Sequence, residues 1–71
     1  MTTTLKYEEF ETNSGVTVYI EKYQDKDKPA FWRYGSKTRM RNGVCVTTKW
    51  GDMLLHKPNR KRIIERYWLV P

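Results

Sequence analysis

Turn signals recur along this chain at intervals too short for long helices, and that spacing constrains its fold more than any other feature. Thr12-Asn13-Ser14-Gly15 separates residues 5–11 from residues 16–23, and residues 24–29 form a polar, charged connection. The aromatic run Phe31-Trp32-Arg33-Tyr34 stops at Gly35, Arg41-Asn42-Gly43 divides residues 37–40 from 44–50, and Gly51-Asp52 reads as a further turn before Met53-Leu54-Leu55. Short apolar and β-branched segments bounded in this way predict antiparallel strands in series. The alternation is cleanest where Val16, Val18 and Ile20 take one face and Thr17, Tyr19, Glu21 and Tyr23 the other. That second face, carrying a glutamate, is expected to be partly exposed. The first segment is open to two readings, since Tyr7, Glu8, Glu9 and Phe10 also suit one helical turn.

The Asn42-Gly43 pair is the strongest hairpin signal, and its register follows from what each alternative would bury. A two-residue loop sets Arg41 opposite Val44 and Arg39 opposite Val46, mixing bases with apolar side chains. A three-residue loop with Gly43 left-handed pairs Met40 with Val44 and Thr38 with Val46. One face is then Thr38, Met40, Val44, Val46 and Trp50, and the other Lys37, Arg39, Cys45, Thr47 and Lys49. Because a one-residue slip exchanges the two faces, the three-residue loop is preferred, and it creates a basic stripe on a sheet face.

The last segment carries two signals. Ile63, Ile64, Tyr67 and Trp68 fall on a helical stripe with Asn59 as its N-cap. Yet Ile-Ile and Tyr-Trp-Leu-Val favour strand, and Arg60-Lys61-Arg62 would sit at a helix's positive end; strand is the preferred reading. The fold expected is mainly β: a small single-domain antiparallel meander, or a partly open SH3-like or OB-like barrel, of four to six short strands over residues 1–71, with a C-terminal strand or short helix. Pro29-Ala30, Gly35, Asn42-Gly43 and Leu55-His56 also resemble the Pro-Ala, Gly, Asn-Gly and Leu-His spacing of MORN-like β-hairpin repeats, across residues 27–57 and without a second copy. The resemblance implies a β-meander and carries no function.

A chain of 71 residues forms one domain, burying about 60% of the surface its unfolded chain exposes. One cysteine, Cys45, precludes an internal disulfide, and one Cys with one His does not make a four-ligand zinc cluster within a single chain. No metal or cofactor is expected. No apolar run approaches the ~20 residues that span a bilayer. Met1-Thr2-Thr3-Thr4 lacks the layout of a secretory signal, so a reducing, cytoplasmic setting and no membrane are expected.

Charge directs the functional reading. Residues 1–32 hold four bases against six acids, and residues 33–71 hold ten bases against two acids, within a net charge of +6. Such asymmetry suggests a surface that meets something acidic, with the acidic half as its opposite pole. Arg33, Lys37, Arg39, Arg41, Lys49, Lys57, Arg60, Lys61, Arg62 and Arg66 are the candidate contacts. Lysine and arginine neutralise phosphates and release counterions, and arginine adds bidentate contacts to phosphate or guanine. Base recognition falls to Arg33, Arg39 or Arg41. Trp32 and Tyr34 are candidate stacking residues, whereas Phe31, Trp50 and Trp68 are expected in the core.

Catalysis is disfavoured. His56 has no orienting partner in sequence, Cys45 reads as a half-buried thiol, and no nucleophile–base–orienter set can be assembled from one histidine and few acids. The reading is therefore a small basic regulatory protein, not an enzyme, that contacts DNA or RNA through a basic sheet face and loop. The alternative is a phage-type or mobile-element-type accessory protein that modulates an acidic host-protein surface. Arg, Tyr and Trp serve both kinds of interface.

Overall fold

In the computed structural model, which describes residues 2–12, 15–67 and 69, alternating residues of four strands build a single antiparallel sheet. The strands are β1 (Thr2–Glu11), β2 (Thr17–Asp25), β3 (Phe31–Arg39) and β4 (Cys45–Leu54), followed by helix α1 (Arg60–Arg66). Their spatial order is β1-β2-β3-β4, so every strand pairs with its sequence neighbour, and β1 and β4 are the sheet's two edges. The sheet is open; it does not close into the SH3-like or OB-like barrel. The four strands run 9 or 10 residues, longer than the short strands the turn spacing suggested. The Tyr7–Phe10 stretch is strand rather than helical turn, its residues paired in order with Glu21, Ile20, Tyr19 and Val18.

Helix α1 covers one face. Val18 and Ile20 from β2 are fully buried there with Tyr34 and Ile63, surrounded by Phe10, Val16, Trp32, Trp50, Leu54, Tyr67 and Leu69. The preferred strand reading of this segment is thus corrected. Asn59 accepts a hydrogen bond from the Lys61 amide at 2.8 Å and caps the helix, while Ile63 buries its side chain. The Arg60 charge near the helix N-terminus is offset by Glu8, 2.7 Å away on β1. Tertiary packing of an apolar stripe outweighs strand propensity in so short a segment. Arg60 meets β1, while Tyr67 stacks on Trp50 of β4 with ring centroids 4.4 Å apart. The helix therefore runs obliquely across the sheet. Trp68 lies outside the described residues, as do Asn13 and Ser14 of the first turn.

The hairpin register expected for residues 38–46 is present. Thr38 pairs with Val46 and Arg39 with Cys45; the Met40 amide bonds the Val44 carbonyl at 2.8 Å, and the Gly43 amide bonds Met40 at 2.9 Å. Gly43 supplies the left-handed turn, with φ +87°. Gly51-Asp52, by contrast, is no turn. β4 continues through it to Leu54, with register shifts opposite Trp32–Gly35. These bulges re-aim side chains: Trp50 packs on the core, while Asp52 reaches Tyr23 on the opposite face.

Candidate functional site

Among the described residues no second layer covers the sheet face away from α1, yet that face buries side chains. Tyr19, Glu21 and Tyr23 are only 6%, 9% and 9% exposed, against the partial exposure their alternation suggested. Long neighbours close over them. Tyr19 faces Gly35 across β2–β3, where a Cβ would sit 2.9 Å from its ring, so the missing side chain gives the tyrosine room. Tyr7 stacks nearly parallel to Tyr19, at 9° and 6.3 Å. Phe31, expected in the core, instead lies half-buried on this face beside Tyr23.

An ionic mosaic fastens the rings. Arg33 pairs with Glu21 and lies over Tyr23, 4.5 Å from the ring centroid. Lys37 pairs with Glu9 at 2.6 Å and covers Tyr7 at 4.8 Å. Glu9 pushes the Lys37 ammonium above its usual range, and Lys37, then Tyr7, lower the Glu9 carboxyl. Asp52 accepts the Tyr23 hydroxyl at 2.6 Å and pairs with Lys49 at 3.0 Å. The phenol's hydrogen bond first, then Lys49, hold the Asp52 carboxyl low, and the same bond raises the Tyr23 phenol. Burial raises Tyr19.

On the covered face, Glu8 gathers Arg60 at 2.7 Å and Lys57 at 2.9 Å, whose hydrogen bonds, Arg60's the stronger, lower its carboxyl. Lys57 and Arg60 therefore tie the loop and helix to β1. Of the ten basic candidates, Arg33, Lys37, Lys49, Lys57 and Arg60 are thus engaged with carboxylates. The acidic half is not an opposite pole: Glu8, Glu9 and Glu21 are threaded among the bases. Successive side chains of a strand point to opposite faces, so the sequence signal for this is the adjacency of Glu8 and Glu9 in β1, which sends one glutamate to each face.

Five candidates remain. Among the described residues no carboxylate lies within ion-pair distance of Arg39, Arg41, Lys61, Arg62 or Arg66. Arg39 and Arg41 belong to the β3–β4 hairpin, and Lys61, Arg62 and Arg66 to the exposed side of α1. Arg62 and Arg66 also border a cleft of about 470 Å³ with His56 and Lys57, over Tyr34, Leu54 and Ile63.

The two stacking candidates separate. Tyr34 is core, its hydroxyl 3.2 Å from that of Tyr67 and its ring edge-on to it. Burial raises its phenol, and the expectation that it offers a stacking surface is corrected. Trp32 is half-buried against the core, with Lys22 and Lys57 over its ring at 5.9 and 6.0 Å. Tyr7, which no motif singled out, is the exposed ring of the open face. Cys45 is exposed rather than half-buried. Among the described residues, no group of three or more His, Cys, Asp or Glu gathers where a metal ion would sit, and no helix is long and apolar enough to cross a membrane. No family model, curated protein or solved structure matches the chain.

Proposed function

We propose that this protein is a small regulatory binder of nucleic acid, acting without catalysis, and that phosphate contacts supply most of its affinity. The observation that carries this reading is the division among its bases. Five are paired with four carboxylates, Lys57 and Arg60 sharing Glu8, whereas Arg39, Arg41, Lys61, Arg62 and Arg66 have none among the described residues. Unpaired arginine and lysine on a chain of net charge +6 favour a polyanion, because each phosphate contact releases counterions. The interface proposed is narrower than the sequence suggested. It omits Arg33, Lys37, Lys49, Lys57 and Arg60, whose cations already have partners.

Retention on mixed-sequence DNA and RNA across a salt series tests the reading. Affinity is expected to fall log-linearly with salt, and each phosphate-contacting base replaced by alanine should reduce the slope by about one. No retention on either polymer at low salt overturns it.

The cleft beside α1 favours a second reading. Leu54, Leu55, Pro58 and Ile63 line it together with His56, Lys57, Arg62 and Arg66, a combination suited to an acidic segment of another protein. A pulldown with and without nuclease separates the two: one acidic protein captured after nuclease treatment supports the second.

A further inference from the structure

Beyond Lys37 the sheet narrows to two strands. The β2–β3 pairing ends at Thr17 opposite Lys37, but β3 and β4 stay paired through Arg39 and Cys45 and close at the Arg41–Gly43 loop. Residues 38–46 therefore form a free-standing ribbon, exposed on both faces. Met40, Val44 and Val46 stand on one side at 51%, 55% and 45% exposure, with Arg39 on the other and Arg41 in the loop. No acid occurs between Lys37 and Lys49. An isolated two-stranded hairpin is marginal in water, so three uncovered apolar side chains there have no intramolecular reason.

We infer that this ribbon is an arm that enters the major groove of duplex DNA tip-first, an inference that rests on the nucleic-acid reading above. The dimensions agree. Its strands lie about 4.8 Å apart against a groove about 12 Å wide, which admits a two-stranded ribbon. Three residues per strand beyond the sheet project it about 10 Å, against a groove depth of about 8.5 Å. Arg41, at the tip, meets base edges, where arginine pairs with guanine in a bidentate manner, and Met40 and Val44 meet thymine methyls. Arg39, farther back, meets phosphate.

The chemistry selects against other occupants. Residues 37–49 contain no Tyr, Phe or Trp, so the arm has no stacking platform for single strands. The major groove of duplex RNA is too deep and narrow for side chains to read. A second copy laid on this arm would bring Arg39 and Arg41 against the same two cations, with no acid between residues 38 and 48 to offset them.

Fluorescence anisotropy on a short mixed-sequence DNA duplex, its separated strand and the matching RNA duplex is the test. The proteins compared are the full chain, Arg39→Ala/Arg41→Ala, Met40→Ser/Val44→Thr and Arg62→Ala/Arg66→Ala. All four substituted arm positions are exposed, and circular dichroism with thermal melting verifies that each variant folds. The DNA duplex should bind most tightly. The arginine pair should weaken it at least about tenfold with a shallower salt slope, and the apolar pair should weaken it with the slope unchanged. If both arm variants bind as the parent does while the helix variant fails, the arm inference is overturned and the nucleic-acid reading stands. Equal or tighter binding of the single strand or the RNA duplex also overturns it. If the parent binds none of the three, the functional reading itself fails. Concentration-dependent dimerisation in sedimentation that Met40→Ser/Val44→Thr abolishes would assign the arm to self-association instead.

Discussion

On the helix-covered face, Tyr34 is closed over by another element, with Tyr67 at its edge and Ile63 beside it. On the open face, Tyr19 and Tyr23 are closed over only by side chains of their own sheet. The first solution removes apolar surface from water with neutral groups and gains about 25 cal/mol for each Å². The second surrounds rings with Arg33, Lys37 and Lys49, each held by a carboxylate. Half-exposed ion pairs stabilise by little, typically under about 1 kcal/mol. The open face therefore keeps its shape by many weak ties, and the covered face carries most of the fold's stability.

That asymmetry is broken most directly at Ile20, fully buried under α1. Ile20→Ala should cost about 2–5 kcal/mol, a large share of the roughly 4–10 kcal/mol expected for a domain this size, read as a lower midpoint in urea unfolding. Next comes Gly35→Ala, which tests whether Tyr19 depends on the bare backbone beneath it. Its methyl would collide with the Thr48 carbonyl and press the Tyr19 ring at 2.9 Å. A loss of about 1–3 kcal/mol, the usual cost of overpacking, should appear in the same unfolding measurement. A neutral Gly35→Ala would show that the open face does not need its close-lying tyrosine.

How much of this was legible depended on the reach of each cause. The Arg41–Gly43 loop and the alternation of Val16, Val18 and Ile20 are local, and both are present where turn chemistry and side-chain period placed them. Gly51-Asp52 looks like a turn because its composition is that of one. Only pairing with β3 makes it a bulge, and only the bulge sends Trp50 to the core and Asp52 to Tyr23. The helix is hidden from the sequence for the same reason, since Glu8 lies 52 positions from the Arg60 it pairs with. The candidate site was legible as residue types. Which bases are engaged was not, because register across β1, β2 and β3 decides it.

Acid sharpens the comparison further. Asp52 on the open face and Glu8 on the covered face both have carboxyls held below their usual range. A depressed folded value means the contribution is whole above the ordinary carboxylate range and is lost as pH falls through the folded value. Stability should therefore be flat above about pH 5 and decline below about pH 4. Asp52→Asn should flatten part of that decline and Glu8→Gln another part, each by under about 1 kcal/mol given their partial exposure. A decline that neither variant alters would place the acid sensitivity in other carboxylates, with Glu9 of the open face, also held low, the first to replace.

The smallest effect is expected at Lys37, and it separates structural bases from functional ones. Its ammonium is engaged by Glu9 at 2.6 Å and rests over Tyr7, yet both partners are largely exposed. Lys37→Gln should change unfolding stability by no more than about 0.5 kcal/mol. It should also leave DNA affinity within about twofold, because a cation already neutralised releases few counterions when phosphate approaches. Arg39 lies two residues along the same strand and face, and its replacement should reduce affinity and salt slope together. A Lys37→Gln loss as large as that of Arg39→Ala would mean that phosphate displaces Glu9, and that the open face yields its ion pairs to a ligand instead of keeping them.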